Sequence, residues 1–485
     1  MRYPLALLTL PALLAVPVEA SSDGIPRGLV RNEGGAFPGY TLIAPMRSKT
    51  VFLIDMEGNV VHRWDTGYAP GSEYLLENGN LLRCSKEPNA ARFRSGGQGG
   101  RIQEIAWDGT VVWDYRFAND DYLQHHDIAV TPDGTVLMIA WEYKSRYDAF
   151  QAGRIPTTLG KEGFWPDFVV EVEPARPDGG EVIWEWHVWD HLVQDVDPEK
   201  ANSGKVEEHP ELVDINGDID RPELSDEQVE QLKTLGYVNT TANRGELRAD
   251  WLHTNAIHYN AERDQILLCV PHMNEVWIID HSTTTDEAAG HSGGNGGRGG
   301  DLLYRWGHPK VYRAGTAQDQ RLFYQHDAQW VLKPLPGAGN LLVFNNGGGR
   351  PDGNYSSVVE LALPLEPDGT YRREAGKPFG PLGPVWEYVA PDKSAFFSGF
   401  ISGAQRLPNG NTLICEGAAG RAFEVTTGGE IVWEYVNELG LVNQALDGQP
   451  APQHALFRAT RIPLDHPGLQ GKELRPLAAG GGASR

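Results

Sequence analysis

Six times along the 485-residue chain a short apolar run closes on a tryptophan beside charged or aromatic residues. The copies are VVHRWD (60–65), VVWDYR (111–116), VIWEWH (182–187), LLYRWG (302–307), PVWEYV (384–389) and IVWEYV (431–436). A strand that recurs with one aromatic feature per unit marks a radially repeated all-β fold. Each unit can bury its faces only against its neighbours, so the copy number counts the blades. The 57 glycines and 33 prolines suit many turns and short strands rather than long helices. The sequence therefore predicts an all-β, six-bladed β-propeller.

Upstream of each tryptophan strand the same order recurs: a leading strand, a turn such as PDG or PNGN, two short apolar strands, then the tryptophan strand. The clearest copies lead with HHDIAVTP (125–132), HTNAIHYN (253–260), HDAQWVLKP (326–334) and SGAQRLP (402–408). The first tryptophan strand is preceded by YTLIAP (40–45) and VFLIDM (51–56) but lacks a leading strand. HALFRATRIP (454–463), by contrast, leads into no blade. Joining these two ends closes the ring with one blade built from N- and C-terminal strands, which removes the open sheet edges. Two segments break the period. Residues 188–250 form an acidic, partly helical insertion, in which LSDEQVEQLKTLGYV (224–238) reads as a helix N-capped by Ser225 and ended by Gly236. Residues 282–300 are Gly-rich and read as a flexible hairpin tip; no GxxxxGK[ST] phosphate loop occurs. The propeller is assigned to 21–470 and a disordered tail to 471–485.

A formal charge of −23 argues against nucleic acid or an anionic membrane as partner. An anionic substrate would need local positive charge set against the field of the whole protein. Residues 1–20 carry one Arg, an apolar stretch and the small-x-small ending Val18-Glu19-Ala20. They read as a secretory signal peptide, with the mature chain periplasmic or secreted and no membrane partner after cleavage. The three cysteines, Cys84, Cys269 and Cys415, each fall in an apolar strand and read as core residues, although an oxidising compartment would permit one disulfide.

Leading strands line a propeller's channel, and their first residues sit near one mouth. The equivalent positions here are His126, His253, His326, Ser402 and His454. Histidines at one phase of a radial repeat converge on a single cavity, where neutral imidazole serves as nucleophile or base and imidazolium as an anion clamp. His126-Asp127 and His326-Asp327 also suggest metal ligation. Strand alternation, however, turns each Asp away from its His, toward turns or neighbouring blades, and no metal ligand is assigned.

In DWLHTNAIHYN with QILLCV (250–270), YQHDAQWV (324–331) and HHDIAVTPDG (125–134) the chain resembles the arylsulfate sulfotransferase family, secreted six-bladed propellers that move a sulfuryl group between phenols. The resemblance implies a sulfohistidine intermediate, aryl sulfate donors and small phenolic acceptors, and neither a nucleotide sulfate donor nor a cofactor. It places the nucleophile at His326, the His-x-Asn motif at His253 and Asn255, and a third active-site histidine at His126, with His125 as the alternative. One departure stands out. Eighteen residues after His253, where the family carries a sulfate-binding arginine, this chain has Pro271. His272, Arg350, Arg421 and Arg458 are candidate substitutes, and His454 joins His125, His272, Arg421 and Asn255 as a candidate substrate contact. A propeller of the same descent acting as a non-catalytic binding module, or a metal-dependent hydrolase or lactonase, stays open. Insertions 142–167 and 188–250 either roof the channel or dock a second subunit, which leaves a homo-oligomer open as well.

Overall fold

The computed structural model describes residues 26–477 apart from 47, 89, 91, 235–237, 239–240 and 441–453. The expected signal peptide and the last eight residues of the tail lie outside the described residues.

Six antiparallel sheets make the six blades, numbered here from the N-terminus. Blade 1 runs from an innermost Leu456–Pro463 through Gly39–Pro45 and Thr50–Ile54 to Val60–Asp65. Blade 2 is Pro70–Leu75, Leu81–Lys86, Gly100–Ile105 and Val111–Arg116; blade 3 is Tyr122–Val130, Val136–Glu142, Asp167–Ala175 and Gly179–His187. Blade 4 is Ala256–Asn260, Gln265–Val270, Glu275–Asp280 and Tyr304–Trp306; blade 5 is His326–Trp330, Leu341–Asn345, Ser357–Leu361 and Trp386–Tyr388. Blade 6 holds Gly403–Arg406, Thr412–Glu416, Arg421–Val425 and Ile431–Val436. Each innermost strand touches the next, and the last touches the first, so the ring closes.

The orphan C-terminal strand does lead blade 1, with Leu42 opposite Thr460. A second closure was not foreseen. Gly28–Asn32 adds a fifth strand outside Ile431–Val436, with Gly28 opposite Val436. That short strand, exposed over its last three residues, has no apolar alternation to announce it. Residues from 471 onward, expected to be disordered, run back along blade 1 as far as Leu477, whose N–H donates to Val60 O at 2.8 Å.

The recurring tryptophans join blade to blade. The indole N–H of Trp113 donates to Gly179 O, that of Trp186 to Gly300 O, and that of Trp306 to Pro381 O, each at 2.7 Å. Trp386 donates to Thr427 O and Trp433 to Met56 O, both at 3.0 Å. In every case the acceptor is a backbone carbonyl of the following blade, outside its first two strands. A large apolar ring thus fills the wedge between two sheets while its one polar atom is satisfied across the gap. Trp64 of blade 1 breaks the series. Its ring meets Trp107 of blade 2 edge-on at 5.2 Å, and its buried Nε1 has no acceptor. Elsewhere the wedges are filled by apolar side chains of facing sheets, such as Val169 and Trp184 of blade 3 with Leu268 and Trp277 of blade 4. The three cysteines are buried and unbridged in this packing.

The insertion after blade 3 carries the predicted helix as Asp226–Thr234, with Ser225 Oγ accepting from Gln228 N–H at 3.2 Å. Gly236 lies outside the described residues. A further helix, Arg244–Ala249, is capped by Asn243 and Glu246. The Gly-rich segment after blade 4's third strand is not a bare hairpin tip. Thr284 caps a helical turn over Thr285–Ala288, whose Ala288 is fully buried, and Gly300 accepts the Trp186 latch.

Candidate functional site

The three histidines at the repeat phase are held by local backbone irregularity rather than by regular strand. His126 has φ 52° and His253 φ 57°, the left-handed region that costs a β-carbon-bearing residue about 1–2 kcal/mol. His126 sits where the Tyr122–Val130 pairing slips register, a bulge that re-aims the side chain. The His126 N–H donates to Gly97 O at 2.7 Å, and a β-carbon on Gly97 would stand 2.0 Å from His126 Nε2. Only glycine lets the imidazole lie there. The ring meets that of His253 edge-on at 4.4 Å. Burial, then the neighbouring His253, His125 and His326 and the charge of Arg458, hold His126 well below the usual histidine range.

His326 opens the innermost strand of blade 5, where a second bulge and a left-handed Asp327 (φ 51°) interrupt pairing. Its Nδ1 faces two acceptors, Asn346 Oδ1 at 2.9 Å and Tyr324 O at 3.1 Å. Asn346 is itself oriented, because its amide donates to Ser398 O at 2.7 Å. Two acceptors on Nδ1 require the proton there, which leaves the lone pair on Nε2. Nε2 has only a long contact from Ile401 N–H, at 3.3 Å. Burial lowers the His326 pKa to about 4, against the opposing effect of its hydrogen bond to Asn346 Oδ1. At neutral pH this is a neutral imidazole with a fixed tautomer and a lone pair on Nε2.

His253 Nδ1 lies 2.5 Å from Asp250 Oδ2. That carboxylate also accepts from Ser95 Oγ at 2.6 Å and from Trp141 Nε1 at 3.0 Å. Burial alone would raise Asp250; His253, His272 and the Ser95 hydroxyl outweigh it and hold the acid well below the usual carboxylate range. A fixed negative charge behind an imidazole orients the ring and stabilises any positive charge it takes up. The far side of His253 stacks on His272, centroids 4.8 Å apart and planes within 19°. His272 Nδ1 is in hydrogen-bond contact with the guanidinium of Arg221, a residue of the insertion. Pro271, just past the strand Gln265–Val270, thus offers no cation, whereas the insertion brings one to the next residue.

One more cation lies on the axis. Arg458, from blade 1, reaches Asp127 Oδ2 of blade 3 at 2.8 Å and Asp327 Oδ1 of blade 5 at 3.0 Å. It also donates to Tyr74 Oη of blade 2 at 2.8 Å and to Asn255 O of blade 4 at 3.4 Å. Five blades therefore meet at one guanidinium. Each of the two aspartates also accepts a backbone N–H of the following blade, the neighbouring-blade role expected of them. Ile257 donates to Asp127 at 3.2 Å and Ala404 to Asp327 at 3.0 Å. Carboxylates engaged this way are not disposed to take a metal alongside the histidines.

Residues 39–443 match the model of the family described as Arylsulfotransferase (ASST). The chain belongs to that family. It is 25% identical over 392 residues to the arylsulfate sulfotransferase AssT of Escherichia coli O6:H1, an alignment covering 77% of this chain and 58% of that protein. The chain thus spans less than two thirds of that relative's length. Among solved structures it is similar to a protein of unknown function from Bacteroides caccae, at 13% identity and TM-score 0.44, over 87% of this chain and 98% of the other. It is also similar to a virginiamycin B lyase from Staphylococcus aureus, at 9% identity and TM-score 0.37, over 86% and 90%.

For this arylsulfotransferase-family chain, the remaining sequence candidates divide. His125 supports His126: its ring stacks on Trp141 at 4.0 Å, and its Nδ1 lies 2.7 Å from His126 Nδ1, so the two share one proton. Asn255 Nδ2 donates to Gln325 O at 2.9 Å, beside His326, while its buried Oδ1 has no partner. Ser402 Oγ touches Asn346 Oδ1 at 3.3 Å. His454 instead lies at the junction of blades 6 and 1, where its carbonyl accepts from Asn437 at 2.9 Å. Arg421 is spent on Glu434 at 2.6 Å and Glu416 at 3.1 Å, and Arg350 on Tyr355 O and Ser357. Asp250, Asn346, Gly97 and Arg221 were missed. An Asp three residues before His253, and an Asn closing an apolar strand, are visible in sequence; the approach of Gly97 and Arg221 is not.

One His/Asp grouping among the described residues could be asked to hold a metal: His191, His291 and Asp301, near the outer strands of blades 3 and 4. Both Nδ1 atoms converge on Asp301 Oδ1, at 2.8 and 2.7 Å. Tetrahedral zinc with bonds near 2.0 Å keeps its donors roughly 3.3 Å apart. The grouping is a hydrogen-bonded triad as it stands.

Proposed function

We propose that the protein is an arylsulfate sulfotransferase that passes a sulfuryl group from an aryl sulfate to a phenolic acceptor through a sulfohistidine at His326. The observation that carries this reading is the state of His326, whose Nδ1 proton is pinned by Asn346 and the Tyr324 carbonyl while Nε2 keeps its lone pair, met only by a long contact from Ile401 N–H, and the ring is neutral. In the first half-reaction the Nε2 lone pair attacks sulfur, the N–S bond forms, and the S–O bond to the aryl group breaks and releases a phenolate. In the second, the acceptor phenol oxygen attacks sulfur, the N–S bond breaks, and the lone pair returns to Nε2.

Charge in such a transfer gathers on peripheral oxygens, so positioning and cationic stabilisation dominate. His253, backed by ionised Asp250, is placed to stabilise that charge; the phenolate released in the first half-reaction takes its proton from solvent, and His126, kept neutral, accepts the acceptor's phenol proton in the second and then gives it up to solvent. The 1–20 segment supports a periplasmic or secreted location, and no helix among the described residues is long and apolar enough to cross a membrane.

Incubation with p-nitrophenyl sulfate, acid-free quenching and intact mass analysis tests the reading. An adduct of one sulfuryl group, about 80 Da, on the peptide carrying His326 is expected, and His326→Ala should remove both it and nitrophenol release. An unlabelled wild-type protein that releases no nitrophenol would sink the proposal and favour a non-catalytic binding module.

A further inference from the structure

Between the two insertions and the top of blades 4 and 5 lies a cavity of about 350 Å³. Two of its lining residues are immediate neighbours of the site histidines. His272 stacks on His253, and the Tyr324 carbonyl accepts from His326. The opposite wall carries three arginines of the second insertion, Arg221, Arg244 and Arg248, against one acid, Glu223. Glu223 pairs with Arg244 at 3.3 Å. Asp218, a buried acid of the same insertion, is held by Arg154 through two hydrogen bonds.

Asp218 and Glu223 still attract the other two guanidinium groups through space, but neither acid forms an ion pair with them. Arg221 is a brace, with its donors spent on the carbonyls of Leu247, Arg248, Asp250 and Trp251 and on His272. Arg248 is different. Its Nε and Nη1 are shut off from solvent and have no acceptor. Burial and then the adjacent Arg221 charge lower its pKa from the ordinary arginine value. A half-buried guanidinium that is crowded by a second one and keeps two unmet donors is costly to maintain, and an oxyanion relieves both costs. In a chain of net charge −23 such a wall is the reverse of the surrounding field.

We propose that this cavity is an oxyanion-docking site, with Arg248 as the ligand-binding residue and Arg221 as its positioning residue, that receives the sulfate group of a substrate outside the histidine cluster. The choice of sulfate rests on the proposed function, whereas the anion site itself does not. The insertion thereby sets which anions reach the histidines, and a donor would move from Arg248 past His272 to His326.

Calorimetric titration of the full-length protein with sodium sulfate at low ionic strength tests this, with sodium chloride as the control for screening. Wild type and His326→Ala should bind sulfate alike, and Arg248→Met should bind it about tenfold or more weakly, with Arg248→Lys between them. For p-nitrophenyl sulfate, Arg248→Met should raise KM about tenfold and leave kcat within a few-fold. Equal sulfate affinity in wild type and in both Arg248 variants would overturn the proposal. So would sulfate binding that disappears in His326→Ala but survives in Arg248→Met. If wild type is never sulfated at His326 yet its sulfate affinity depends on Arg248, the transferase reading fails and the docking site stands.

Discussion

His326 Nδ1 and Asn346 Oδ1, 2.9 Å apart, fix which nitrogen of the candidate nucleophile is free. Replacing Asn346 by Ala removes the acceptor but not the Tyr324 carbonyl, so the ring loosens rather than inverts. Nitrophenol release should fall about a hundredfold in kcat with little change in KM. In wild type the burst of nitrophenol should stay flat from pH 7 down to about 5 and decline only as His326 protonates near pH 4. Asn346→Asp should move that acid limb upward by about one to three pH units, because a carboxylate beside Nδ1 favours the imidazolium. Stopped-flow burst amplitudes against pH measure both; an acid limb near 6.5 in wild type would contradict the assignment.

Gly97 and His126 form a second steric relationship. Gly97 has φ 72°, and a β-carbon there would overlap the imidazole. Gly97→Ala should cost activity about a hundredfold by displacing His126. Gly109, with φ 88° and open space around it, gives the control. Gly109→Ala carries a similar backbone cost, about 1 kcal/mol, and should keep full activity. Urea midpoints and steady-state rates for the two variants separate strain from site geometry.

The repeat made the blade phase legible, and with it His126, His253 and His326, because strand alternation converts position in a unit into direction in the ring. What it did not reveal depends on atoms that carry no residue-type signal. The tryptophans mark a strand, but their carbonyl acceptors at Gly179, Gly300 and Pro381 are backbone and leave no trace in composition. Arg221, in the aperiodic insertion, meets His272 of blade 4 from 51 residues away. Arg458 could be proposed as a cation only until its two aspartate partners were seen to engage it.

The tryptophan latch can be weighed against its own exception. Trp186 donates to the buried Gly300 carbonyl, whereas Trp64 is equally buried and donates to nothing. Changing either to Phe loses ring volume; only Trp186→Phe also strands a carbonyl. It should therefore be the more destabilising of the two by about 1–3 kcal/mol in urea denaturation. Equal losses would mean that the indole contributes by packing alone.

Glu73, in the innermost strand of blade 2, is buried, and its closest cation, Arg83, stands 3.8 Å away, beyond hydrogen-bond reach. Burial therefore outweighs the attraction and pushes the carboxyl up to about 8. The sign follows from proton counts. Between the ordinary glutamate value and pH 8 the folded state binds the extra proton, so wild-type stability falls as pH rises through that window. Glu73→Gln mimics the protonated acid without this dependence. It should match wild type near pH 4.5 and exceed it increasingly toward pH 8, by on the order of 3 kcal/mol at pH 7, then by a constant amount at higher pH. Thermal melts of the two proteins across pH 5–9 read this directly. A difference in Tm that shrinks as pH rises would show that Arg83 keeps Glu73 ionised.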